Sequence, residues 1–195
     1  MMPGRRTVAA GVWIVRGSAH DPHDLAGATH LVEHLTLRSC GGRDRRELAL
    51  DIDRLGGEVD AWTSSELMGV SVNTTLDALD EALDLLVDAV TRPTFAAPDV
   101  SLEVRVTEAE LELVADDPAE QVGEALLRAA WGRHPLARAV IGTRDSLRRL
   151  TPENLRSHHA ELIRPASVLA AVAGDVDVGR VASRLRPLPL EAEPR

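Results

Sequence analysis

His30-Leu31-Val32-Glu33-His34 decides how this chain is read. On an α-helix, residues at i and i+4 stand about 5–6 Å apart at Cβ, so the imidazoles of His30 and His34 can converge on one metal ion. Glu33, at i+3 from His30, borders the same face. The order H-x-x-E-H reverses that of the better-known H-E-x-x-H zinc helix. A solvated or core-facing helix with two incidental histidines competes with this reading on the pentapeptide alone, so the surrounding sequence has to decide.

A metal site that does chemistry takes three protein ligands and keeps one position open for water. The acidic and apolar segment Asp99 to Val114, followed by Asp116-Asp117-Pro118, offers the third donor. Glu103 and Glu110 share a helical face there, so one can bind the metal while the other orients a histidine. Glu108 and Glu112 lie beside Glu110, and spacing alone leaves either of them open as the ligand.

Further elements follow in order along nearly the whole chain. Gly27-Ala28-Thr29 leads into the His30–His34 motif, and Leu55-Gly56-Gly57-Glu58-Val59-Asp60-Ala61-Trp62-Thr63 comes after it. Beyond the acidic helix come His134-Pro135, Ile141-Gly142-Thr143 and Ala171-Val172-Ala173-Gly174-Asp175-Val176. Together they resemble the pitrilysin, insulinase and mitochondrial processing peptidase family, zinc metalloendopeptidases of the inverzincin type. The resemblance selects Glu110, 76 positions after His34, as the distal ligand, and so implies a Zn2+ site of His30, His34 and Glu110. Glu103 matches the family's second acidic residue on the same helix, in contact with a ligand rather than with the metal. Glu33 is then the general base.

The implied function is that of a zinc-dependent endopeptidase subunit. Its substrate is an extended peptide pairing with an edge strand around Asp60, Ala61, Trp62 and Thr63. Family active sites close between two homologous domains, the second of which supplies an Arg and a Tyr; this chain contains no Tyr. That points to a heterodimer with a homologous partner chain. Two alternatives accompany this reading: a non-catalytic assembly subunit of the same fold, and a small-molecule lyase of related fold. The lyase needs both a catalytic and a metal-binding cysteine, and Cys40 is the single cysteine.

The chain departs from the family pattern at Asp60, where Asn is usual, and at Met68 and Val70, where Thr and an aromatic are usual. Leu37-Arg38-Ser39-Cys40 replaces a Phe-x-Gly-Thr segment. These changes bear on substrate preference and the cleft wall. The family domain also starts with a strand sequence that precedes position 1 here, which predicts an exposed sheet edge.

With 195 residues, 44% of them hydrophobic, the chain suits one domain, or half of a family polypeptide, with a filled core. A formal net charge of −9 and the lack of any basic stripe argue against nucleic acid or an anionic membrane as partner. Arg without a single Lys, with an Ala/Val/Leu/Asp bias, suggests a GC-rich bacterial source. Cys40 can form no intrachain disulfide, and no apolar run spans a bilayer, so the expected location is the cytoplasm. His20 and His23 read as solvated loop residues, His158 and His159 as part of a polar C-terminal helix, and His134-Pro135 as structural.

The pattern predicts an α+β fold, a mixed β-sheet with helices packed on one face. Strands are expected at Val8–Val15, Glu58–Thr63, Leu67–Thr74 and Ser167–Ala173. Helices are expected from a cap at Asp24 to Leu37, from Asp44 to Leu55, Leu76 to Val90, Asp99 to Val114 and Pro118 to Trp131, with a shorter one near Pro152. Residues 1–185 form the metallopeptidase domain and 186–195 a Pro-containing tail.

Overall fold

Alternation of apolar side chains builds the sheet. In strand β1 (Thr7–Ile14), Val8, Ala10, Val12 and Ile14 all point to one side and are buried. The computed structural model, which describes residues 2–165 and 167–190, pairs β1 with β3 (Met68–Thr75) on one side and β4 (Val168–Ala173) on the other. Strand β2 (Glu58–Thr63) joins β3 through a tight turn at Ser64–Leu67 and pairs with it. The strand order is β2-β3-β1-β4, so β2 and β4 are the edges. The α+β class holds. In detail every pairing is antiparallel rather than mixed, because successive strands either form a hairpin or return after helical connections that reverse the chain.

Met68, Val70 and Val72 of β3 continue the apolar face. Helix α1 (Ala28–Thr36) lies against β2, and α3 (Leu79–Thr91) lies across β1 and β3. Nine of the thirteen α3 residues are buried, so it is more enclosed than a one-sided amphipathic helix; its first turn, Leu76–Ala78, is 3-10. Helix α2 (Arg45–Arg54) starts as expected: the Asp44 carboxylate accepts from the Arg46 and Glu47 amides, and Glu47 reaches back to the Asp44 amide. Helices α4 (Ala97–Asp116) and α5 (Pro118–Trp131) follow, each with Pro in its first turn. Two helices were not read from the sequence, the one-turn α6 (Arg144–Leu147) and α8 (Val178–Leu185); α7 (Pro152–Leu162) lies between them.

The opposite face of the sheet carries a single row across all four strands: Trp62, Gly69, Trp13 and Leu169. Gly69 is required there, since a Cβ would come within 2.7 Å of the Trp62 ring. Leu188, in the stretch read as a tail, is packed in the core; residues 191–195 lie outside the described residues. Among the described residues, no helix is long and apolar enough to cross a membrane.

Candidate metal centre

Helix α1 sets the site, and its start is fixed from outside the helix. Gly27 takes φ 92°, and a side chain there would strike the Ile141 carbonyl oxygen at 2.6 Å. The Asp21 carboxylate accepts from the Gly27 amide at 2.8 Å and from the Thr29 amide at 3.1 Å. Asp21, not Asp24, therefore supplies the capping carboxylate; Asp24 is exposed on a separate 3-10 turn, His23–Leu25. His158 of α7 closes the cluster, with Nε2 3.0 Å from Asp21 Oδ1 and 2.8 Å from Thr29 Oγ1. Both residues are buried. The expectation of two histidines on a polar helix is corrected here: His159 is buried as well, its Nε2 donating to the Val90 carbonyl at 2.8 Å.

Leu31, Val32 and Leu35 press α1 into the core, which turns His30, Glu33 and His34 toward α4. His30 and His34 face each other with their Nε2 atoms 3.2 Å apart. Glu110 Oε2 of α4 lies 4.0 Å from His30 Nε2 and 3.8 Å from His34 Nε2. Ligands about 2.0–2.2 Å from a tetrahedral ion stand roughly 3.3–3.6 Å from one another, so the two histidines are at that spacing and Glu110 reaches it by a shift of a few tenths of an ångström. Among the described residues this is the one group of three donors gathered so closely. Glu108 and Glu112 point elsewhere, to Arg148 at 3.1 Å and Arg144 at 2.9 Å.

The donor chemistry also fits a metal. His34 Nδ1 donates to Glu103 Oε2 at 3.1 Å, which leaves the Nε2 lone pair aimed into the site. Burial, helped by His34 and opposed by Asp21, lowers the His30 pKa to about 4, so its ring is neutral as a ligand must be. Glu33 Oε2 lies 4.0 Å from His30 Nε2. Burial raises the Glu33 carboxyl to about 7; His34 opposes this, Glu110 and Asp60 add to it, and the Thr63 hydroxyl lowers it. That places the group near neutrality, where a proton shuttle works best.

Asp60, Ala61, Trp62 and Thr63 occupy the edge strand beside α1, with Ala61 and Thr63 on the helix side and Asp60 and Trp62 on the other. Met68 and Val70 are core residues on the inner face of β3, so these departures from the family pattern repack the interior and do not line a cleft. Cys40 is fully buried with its thiol pushed to about 11, which suits neither a metal ligand nor a nucleophile. His20 and His23 are exposed, and His134 Nδ1 accepts from the Leu136 amide to start a 3-10 turn.

Residues 2–144 match the sequence profile of insulinase, peptidase family M16. The chain is 35% identical to an uncharacterized zinc protease of Mycobacterium leprae over 95% of its own length and 42% of that protein. Its fold is shared with a protease of Helicobacter pylori (TM-score 0.87, 22% identity, 94% of this chain and 45% of that one). It is shared equally with a peptidase M16 inactive domain of Pseudomonas fluorescens (TM-score 0.87, 22% identity, 95% and 46%). The chain spans about two fifths of the length of the zinc protease relative. It belongs to peptidase family M16.

Proposed function

We propose that this chain is the catalytic part of a zinc metalloendopeptidase, with residues 1–185, and Leu188 packed into their core, as its working unit. The observation that carries this reading is the convergence of His30, His34 and Glu110 around one point, with Glu33 at its border. Those three side chains would hold zinc, which supplies Lewis acidity toward a scissile carbonyl and toward water. Glu33 takes the proton of the attacking water and delivers it to the leaving amine. Glu103 keeps His34 in the tautomer that offers Nε2. An extended peptide adds to the edge of β2 at Asp60–Thr63, where backbone pairing holds it without strict demands on its sequence. A homologous partner, in the same polypeptide or a second one, closes the site and brings the Arg and Tyr that the family resemblance implies. The relatives' greater length supports that completion. A non-catalytic assembly role is the competing reading, favoured by the likeness to a domain titled inactive.

Peptidase assays of the wild type separate the two, and the variant Glu33→Gln tests the base. With the partner present, hydrolysis of a mixed peptide library is expected to fall about 10²–10⁴-fold while zinc content stays at the wild-type level. Cleavage within a few-fold of wild type would remove Glu33 as the base. A wild type that binds zinc and cleaves nothing with any partner would favour the assembly role.

A further inference from the structure

Glu103 is a buried carboxylate with two partners on two oxygens. Oε2 accepts from His34 Nδ1 at 3.1 Å, and Oε1 makes a close ion pair with Arg38 Nη1, aligned as a charge contact rather than a hydrogen bond. Arg38 stands at i+4 from His34, just past the end of α1, so it sits over the same side of the helix. Its Nε faces Asp99 Oδ1 at 3.6 Å. The line Asp99–Arg38–Glu103–His34 thus runs from the first turn of α4 into the metal centre. The Glu103 side chain is 4% exposed and that of Arg38 14%, so water competes little with either contact.

We propose that Arg38 is a positioning residue of the metal centre: it pins Glu103 against His34 Nδ1, so that His34 presents Nε2 to His30 and Glu110. This rests on the metal-binding reading above. The terminal torsion of a glutamate is broad, so a carboxylate held at one oxygen rotates easily. A second, charged partner close against the other oxygen, in a site with little water, attracts that oxygen and raises the cost of the rotation. With that rotation opposed, Nδ1 of His34 keeps its proton and Nε2 its lone pair. Lys at this position supplies a point charge and lacks the fork that reaches Asp99 and Glu103 together.

The test measures equilibrium zinc affinity by competition with a chelator for wild type, Arg38→Gln and Arg38→Lys. Nitrogen NMR of His34 in the metal-free proteins accompanies it. Arg38→Gln is expected to bind zinc about tenfold more weakly, within the range for lost outer contacts, with Arg38→Lys in between. The wild-type His34 is expected to carry its proton on Nδ1, and the Gln variant to show the other tautomer as well. Zinc affinity within about twofold of wild type, with an unchanged tautomer, would overturn the proposal. A drop in thermal stability without those two changes would mean the same, with Arg38 only fastening α1 to α4. If the wild type binds no zinc, the metal-binding reading fails, and the tautomer comparison still decides the role of Arg38.

Discussion

Two pairs of histidines divide this molecule into a part that is chemically closed and a part that is open. His158 and His159 are neighbours in sequence yet face apart: one closes on Asp21 and Thr29, the other on the Val90 carbonyl. His30 and His34, four residues apart, face each other across 3.2 Å, and Nδ1 of His30 is buried with no partner. Burial separates the pairs in degree: His158 and His159 are 7% exposed, and the side chains of His30 and His34 17%. The partners of their nitrogens separate them further. In the first pair Nε2 of each ring is held by the fold's own groups, whereas His30 and His34 turn Nε2 toward each other beside the Glu110 carboxylate, a donor set that fits a cation.

The comparison is strained hardest at Asp21. Replacing it with Asn leaves His158 and the first amides of α1 facing an amide in place of a carboxylate. The expected loss is about 3 kcal/mol of unfolding free energy, measured by urea denaturation of the metal-free protein. A change below about 0.5 kcal/mol would mean that the cluster is not the fastening described here.

His159 gives a smaller effect with a definite sign. Burial lowers its pKa, the bond to Val90 opposes this, and His158 adds to the lowering. The unfolded chain therefore takes up a proton near pH 6.5 that the folded chain resists, so the stabilisation is complete above that pH and is lost as the pH falls through it. His159→Gln keeps a donor for Val90 without titrating. Between pH 7 and 5, wild type is expected to lose more stability than this variant; parallel pH profiles would contradict the assignment.

Much of this arrangement was legible from residue order. Strand alternation in Thr7–Ile14 and the Asp44–Glu47 capping box are local signals, and both elements form as they imply. The motif at His30–His34 gave the face of α1, because helical spacing alone dictates it. What escaped depends on distant contacts. Asp21 caps α1 from six residues before Gly27, where local order points to the nearer Asp24. His158 reaches it from α7 across 137 positions of sequence, and no local pattern marks that. Spacing alone leaves Glu108, Glu110 and Glu112 open and the family resemblance selects Glu110; that Glu108 and Glu112 face Arg148 and Arg144 instead depends on how α4 is rotated against α1. Arg38 carried one faint sign, its place one turn beyond His34.

The central claim is that the open pair, completed by Glu110, is a zinc site. Elemental analysis of the purified wild type beside Glu110→Gln, Glu108→Gln and Glu112→Gln tests it most directly. One zinc per wild-type chain, retained by the Glu108 and Glu112 variants and lost or sharply weakened in Glu110→Gln, is the expected result. A wild type that binds no zinc, or full retention in Glu110→Gln with loss in either of its neighbours, would contradict the account.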